Sequence, residues 1–330
     1  MSQFKKRTWL YYGVAALGSV VYGFLTLTAP RSASTQQNFE LSAMQILLLQ
    51  ITIMIPYVIS WFSGVSGVLA LEKCAQVLWD NGHKKGFHYL SLGVAIVALG
   101  YLFASLISGF KPYFPPDWGI AQTILNNYIY VLLAFFSSLC FFVGSRHLVA
   151  VRQDSTAEKD DIVMSVIITF LLAALYVPLV FTNDHRQVAA SITSMATYYL
   201  ADPLIVLTII LPLIASWILG LLAIFRLNRF LLPITADTQR HGTRMFTNGL
   251  GIVLFASIFL QILVSIGTDR LLGSGVVLVL VLVFLFIGLQ VVGFLSIFFG
   301  ARTMSKAVEK HYNDTAVIAK RPKKSVASQF

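Results

Sequence analysis

Apolar and polar positions along this chain fall into eight long apolar runs joined by short polar connections. The runs cover about residues 8–29, 43–71, 86–110, 123–145, 162–182, 203–225, 246–267 and 275–301. A helix rising about 1.5 Å per residue needs roughly 20 apolar residues to cross a hydrocarbon layer about 30 Å thick. The pattern therefore predicts an all-α polytopic membrane protein with eight transmembrane helices and no separate soluble domain.

Two of these runs carry the same spaced residues. Thr52, Pro56, Ser60, Trp61 and Gly64 in the second run recur 156 positions later as Thr208, Pro212, Ser216, Trp217 and Gly220 in the sixth. Other matches keep the same order. Tyr22 and Thr28 align with Tyr176 and Thr182; His83, Gly93 and Gly109 with His241, Gly251 and Gly267; Gly144 and Arg146 with Gly300 and Arg302. This predicts a tandem duplication, with one four-helix unit over 1–146, a cytoplasmic linker over 147–161, a second unit over 162–312 and a basic, disordered tail over 313–330. An even number of spans per unit keeps the two units parallel, with pseudo-two-fold symmetry about the membrane normal. Duplicated transporters share this arrangement between their halves.

Steps of four residues place Thr52, Pro56, Ser60 and Gly64 on one slowly rotating helix face. Proline brings no N–H, so the Thr52 carbonyl loses its usual partner, and a bare carbonyl is costly in lipid. Small residues one and two turns onward admit another backbone. Trp61 adds one indole donor. The same holds for Thr208, Pro212, Ser216, Trp217 and Gly220. One reading is a pair of kinked helices packed tightly together. The other is a central cavity on the pseudo-axis, lined by these residues and open to a substrate.

Composition supports the membrane reading. The chain is 57% hydrophobic and 12% charged, with mean hydropathy +0.78, against about a quarter charged in soluble domains. Of its 24 basic residues, 20 fall on the side that holds both termini. Basic residues near span ends stay in the cytoplasm, so both termini are expected there, in a plasma membrane of bacterial type. The net charge of +10 is then an orientation signal. It does not indicate nucleic acid, because no basic soluble module is present to hold it. Lys5, Lys6 and Arg7 precede a run too long, and too poor in a cleavage site, for a signal peptide.

No ionisable side chain lies deep in any run, which argues against buried proton relays and histidine-ligated haem. Cys74 and Cys140 suggest neither a disulfide nor a metal site, and no cofactor is implied. Asp202 before Pro203 reads as a helix cap, as do Ser42 and Gln45. His83, Lys84 and Lys85 form a basic cluster whose counterpart is Arg240, His241 and Arg244. Lys84, Lys85, Arg240 and Arg244 suit anchoring to anionic lipid, or docking of a cytoplasmic partner. Segments 112–118 and 186–200 read as an aromatic interfacial loop and an interfacial amphipathic helix. Ala15, Ser19 and Gly23 give the first span a small-residue packing face. Two functions follow: a transporter-like protein that binds or moves a small uncharged or lipid-like molecule, or a non-catalytic scaffold or sensor with a basic cytoplasmic face. No nucleophile–base pair or phosphate loop points to an enzyme.

Overall fold

The computed structural model describes residues 3–28, 43–78, 81–110, 118–149, 160–172, 211–231, 237–266 and 276–320. Every regular element among them is a helix: α1 (Gln3–Thr28), α2 (Ala43–Val77), α3 (Asn81–Phe110), α4 (Trp118–Val149), α5 (160–172), α6 (Leu211–Leu231), α7 (Asp237–Ile266) and α8 (Val276–Lys320). Six segments are long and apolar enough to cross a membrane: Arg7–Thr28, Gln50–Val77, Asn81–Ile107, Val131–Val149, Leu211–Arg229 and Val281–Lys310. This is consistent with an integral membrane protein. The eight-span expectation rests on sequence for the other two. α7 spends its first turns on Asp237, Arg240, His241 and Arg244, and α5 is described over 13 residues only.

The surface of α5 shows the solvent for which the fold is built. Asp161, Ser165 and Thr169, one turn apart, are buried, while Ile162, Val163, Met164, Val166, Ile167, Phe170 and Leu171 are 43–72% exposed. Polar groups inside and apolar groups outside is the reverse of a helix on a water-soluble protein. Hydroxyls elsewhere bond back to their own helix: Ser19 Oγ donates to the Ala15 carbonyl at 2.7 Å, Thr26 Oγ1 to Tyr22 at 2.8 Å and Ser66 Oγ to Phe62 at 2.7 Å. Such bonds satisfy hydroxyls where water is absent.

Contacts between helix ends give an alternating up-and-down bundle. Arg7 at the start of α1 meets Glu72 at the end of α2, 3.6 Å away. His88 near the start of α3 reaches the same carboxylate at 3.2 Å. Asp161 at the start of α5 pairs with Arg229 at the end of α6 at 2.8 Å. Lys73 at the end of α2 donates to Glu309 of α8 at 2.7 Å. α3 packs on α4 and α7 on α8, while the two groups are joined by α2 lying on α8 and α6 lying on α4. One core unites them, with Trp61, Leu90, Phe141, Leu227, Phe246 and Phe294 among its members.

Glycines set the closest approaches. On α3, Gly86, Gly93 and Gly100 recur every seven residues and face Leu148, Phe141 and Leu133 of α4. On α7, Gly242 and Gly249 face Gly300 and Gly293 of α8. A seven-residue repeat keeps one seam in contact over several turns, and without side chains the backbones come together. On α1, Ala15 is buried and Gly23 lies against Met54, as the small-residue face predicts; Gly18, against Leu102, belongs to the same face.

One expectation needs correction. Helix α8 continues through Asn313 to Lys320, so 313–320 is helical where disorder was expected; the apolar run Ala316–Ala319 favours continuation. The clusters at Lys84, Lys85, Arg240 and Arg244 sit on the first turns of α3 and α7. Helix α6 runs on through Arg226, which is buried with its guanidinium 4.4 Å above the Phe142 ring. The aromatic ring face offsets part of the cost of burying that cation. The Ser42 cap, the loop before Trp118, most of the linker, the segment 186–200, Asp202, Pro203, Thr208, Tyr176, Thr182 and Gly267 lie outside the described residues.

Candidate functional site

The two halves of the predicted stripe have different fates. Thr52 is exposed, and its hydroxyl donates to the Leu48 carbonyl at 2.7 Å, so it lines no interior. Pro56 lies inside α2, and Ser60 Oγ donates to its carbonyl at 2.9 Å. Trp61 and Trp217 are each 1% exposed, and Ser60, Ser216, Gly64 and Gly220 are also buried. The principal neighbours of α2 are α3 and α8, and those of α6 are α4 and α7. Among the described residues, each stripe therefore lies on a helix that packs against the last helix of the other group.

Around α6 a recess of about 40 Å³ remains. Ser216, Trp217 and Gly220 form one wall, Ala134, Ser137, Ser138 and Phe141 of α4 the second, and Val253, Leu254 and Ser257 of α7 the third. Ser137 Oγ donates to the Ala134 carbonyl at 3.0 Å and Ser216 Oγ to Leu213 at 2.7 Å. Their protons are used, so these oxygens offer lone pairs to the recess. Ser257 Oγ shares a 2.6 Å hydrogen bond with the Tyr101 hydroxyl of α3. The lining holds no charged side chain. A water needs roughly 10–15 Å³ of such space, so the recess admits a few waters or one small neutral solute.

Beside Gly64 of α2 the corresponding space is filled. Position 294 stands 156 residues after 138, as 220 does after 64. A Cβ at Gly220 would meet Ser138 Oγ at 3.5 Å, whereas a Cβ at Gly64 would meet the Phe294 ring at 3.1 Å. Phe294 is fully buried, edge-on to Tyr101. Tyr22 and Tyr57 close the other side of Trp61, with centroids 5.4 and 6.1 Å from its ring. A benzyl group in place of a hydroxymethyl plugs one site and leaves its counterpart open.

Lys84, Lys85, Arg240 and Arg244 are exposed, away from the recess. The residues not anticipated are Ser137, Ser138, Tyr101, Ser257 and Gln290. Gln290 is the sole amide in its run, a signal visible in the sequence, but a search for ionisable groups passes over it. The serines were undetectable, because hydroxyls that bond their own helix are unremarkable in an apolar run. No protein-family model, curated protein or solved structure matches the chain.

Proposed function

We propose that this is an eight-span membrane protein of two parallel four-helix repeats, with both termini in the cytoplasm, that passes a small uncharged molecule through the interface between them. Three features support the repeat. The exchange of α2 onto α8 and of α6 onto α4 is what a two-fold axis demands. Gly144 and Gly300, equivalent by sequence, both sit at backbone contacts, beside Gly86 and Gly242. Each half also ties its first helix to its second by an ion pair with the charges reversed: Arg7 with Glu72, Asp161 with Arg229.

The function rests on the recess at Trp217. It lies between the halves, and it gathers Ser216, Trp217 and Gly220 with hydroxyls from α4 and α7. An uncharged lining selects neutral solutes, and its small volume favours a small hydroxyl- or amide-bearing molecule over a lipid-like one. No carboxylate, imidazole or amine stands in that lining, so the arrangement supports binding rather than acid–base chemistry.

Osmotic swelling of proteoliposomes in glycerol and urea tests this. The protein should swell vesicles several-fold faster than protein-free controls, and Ser138→Phe, which copies the Phe294 plug, should return the rate to the control value. Wild-type protein no faster than empty vesicles, or a folded Ser138→Phe protein as fast as wild type, would refute the reading.

A further inference from the structure

Buried polar atoms inside an apolar bundle find partners almost without exception. Trp61 Nε1 and both polar side-chain atoms of Gln290 are among the described atoms that lack one. Both residues are 1% exposed. Gly64 meets Phe294 and Gly67 meets Ile297, so α2 and α8 run side by side in the same direction. One turn back along each helix puts Trp61 level with Gln290. The Gln290 carboxamide also lies beside the Tyr101 hydroxyl, which is bound on its other side to Ser257 at the recess.

We propose that Trp61 and Gln290 form a second, fully enclosed binding position between α2, α3 and α8, for one small neutral molecule that both accepts and donates hydrogen bonds. The occupant accepts from the indole N–H of Trp61 and donates to Gln290 Oε1; the carboxamide N–H₂ remains to donate to a second lone pair on the occupant. Water, an alcohol or a primary amide meets that description, and an ion does not, since no charged group is there to balance it. The site stands independently of the recess: it is drawn from atoms without partners, not from open volume. Tyr101 lies between the two positions, with Gln290 on one side and Ser257 on the other.

The test uses the full chain in nanodiscs, with the Trp61 indole ¹⁵N–¹H resonance identified by its loss in Trp61→Phe. An occupied site gives either a cross-relaxation peak to water or a dose-dependent shift on adding methanol; the first identifies water and the second a solute, and both support the proposal. Gln290→Met, which keeps the volume and removes the polar atoms, should then melt a few degrees below wild type, because the occupant and the indole lose their partner. A dry, empty site predicts the opposite: Gln290→Met melts higher, and the Trp61 resonance shows neither water nor methanol. That result would overturn the proposal. Should Gln290→Met not fold, the Trp61 resonance of the wild-type chain decides alone.

Discussion

Replacing Gly300 by alanine adds one methyl group at the tightest backbone contact in the bundle. Its Cβ would stand 2.4 Å from the Phe246 amide nitrogen, 2.7 Å from the Gly242 carbonyl oxygen and 2.7 Å from Phe246 Cα. All three are backbone atoms, so no rotamer change relieves the clash. Ordinary contact begins near 3.4 Å, so α7 and α8 must part by about 1 Å at this level. Overpacking of this kind costs about 1–3 kcal/mol, and a rigid backbone neighbour puts Gly300 at the upper end. Alanine regains up to about 1 kcal/mol of helix propensity. The net loss is about 2 kcal/mol, or a melting temperature lower by about 4 °C. Cys74 is fully buried, so thermal labelling by a thiol-reactive dye in a Cys140→Ser background reports unfolding. Gly288→Ala is the control, since nothing stands within 4 Å of its added Cβ; it should melt at or slightly above the parent. If Gly300→Ala melts as high as Gly288→Ala, α7 and α8 are not in backbone contact.

Arg229→Ala strands the Asp161 carboxylate, which is 10% exposed; a loss of about 1–3 kcal/mol should follow, and reversing the pair with Asp161→Arg and Arg229→Asp should recover at least half of the lost melting temperature, because the first half already carries the charges in that order. A reversed pair no better than the single variant would mean that the bridge does not join α5 to α6. Phe170 is 72% exposed on α5, and a lysine facing lipid there should cost about 2–3 kcal/mol and lower the fraction inserted. Thr169→Val on the inward side should be neutral or stabilising, since its hydroxyl is without a partner. Full insertion of Phe170→Lys would place that face in water.

The hydrophobic pattern located the helices well because the bilayer enforces both their length and their apolarity. The recurrence of Trp61 as Trp217, and of Gly144 as Gly300, was equally plain, since it is a matter of spacing along the chain and needs no knowledge of packing. Helix ends were less legible: Arg226 and the segment 313–320 remain helical past the apolar runs, because backbone hydrogen bonds continue wherever the next residues tolerate them. Which faces meet could not be read from the chain. Thr52 and Ser60 belong to one stripe in sequence, yet one looks outward and the other inward, because the orientation of α2 is set by α3 and α8. The contrast between Ser138 and Phe294 acquired meaning only when each was found against its own glycine, Gly220 or Gly64, contributed by the other half. Periodicity along one helix determines that it has an inner face. What stands opposite that face depends on contacts between residues far apart in the chain, and these exist only in the folded bundle.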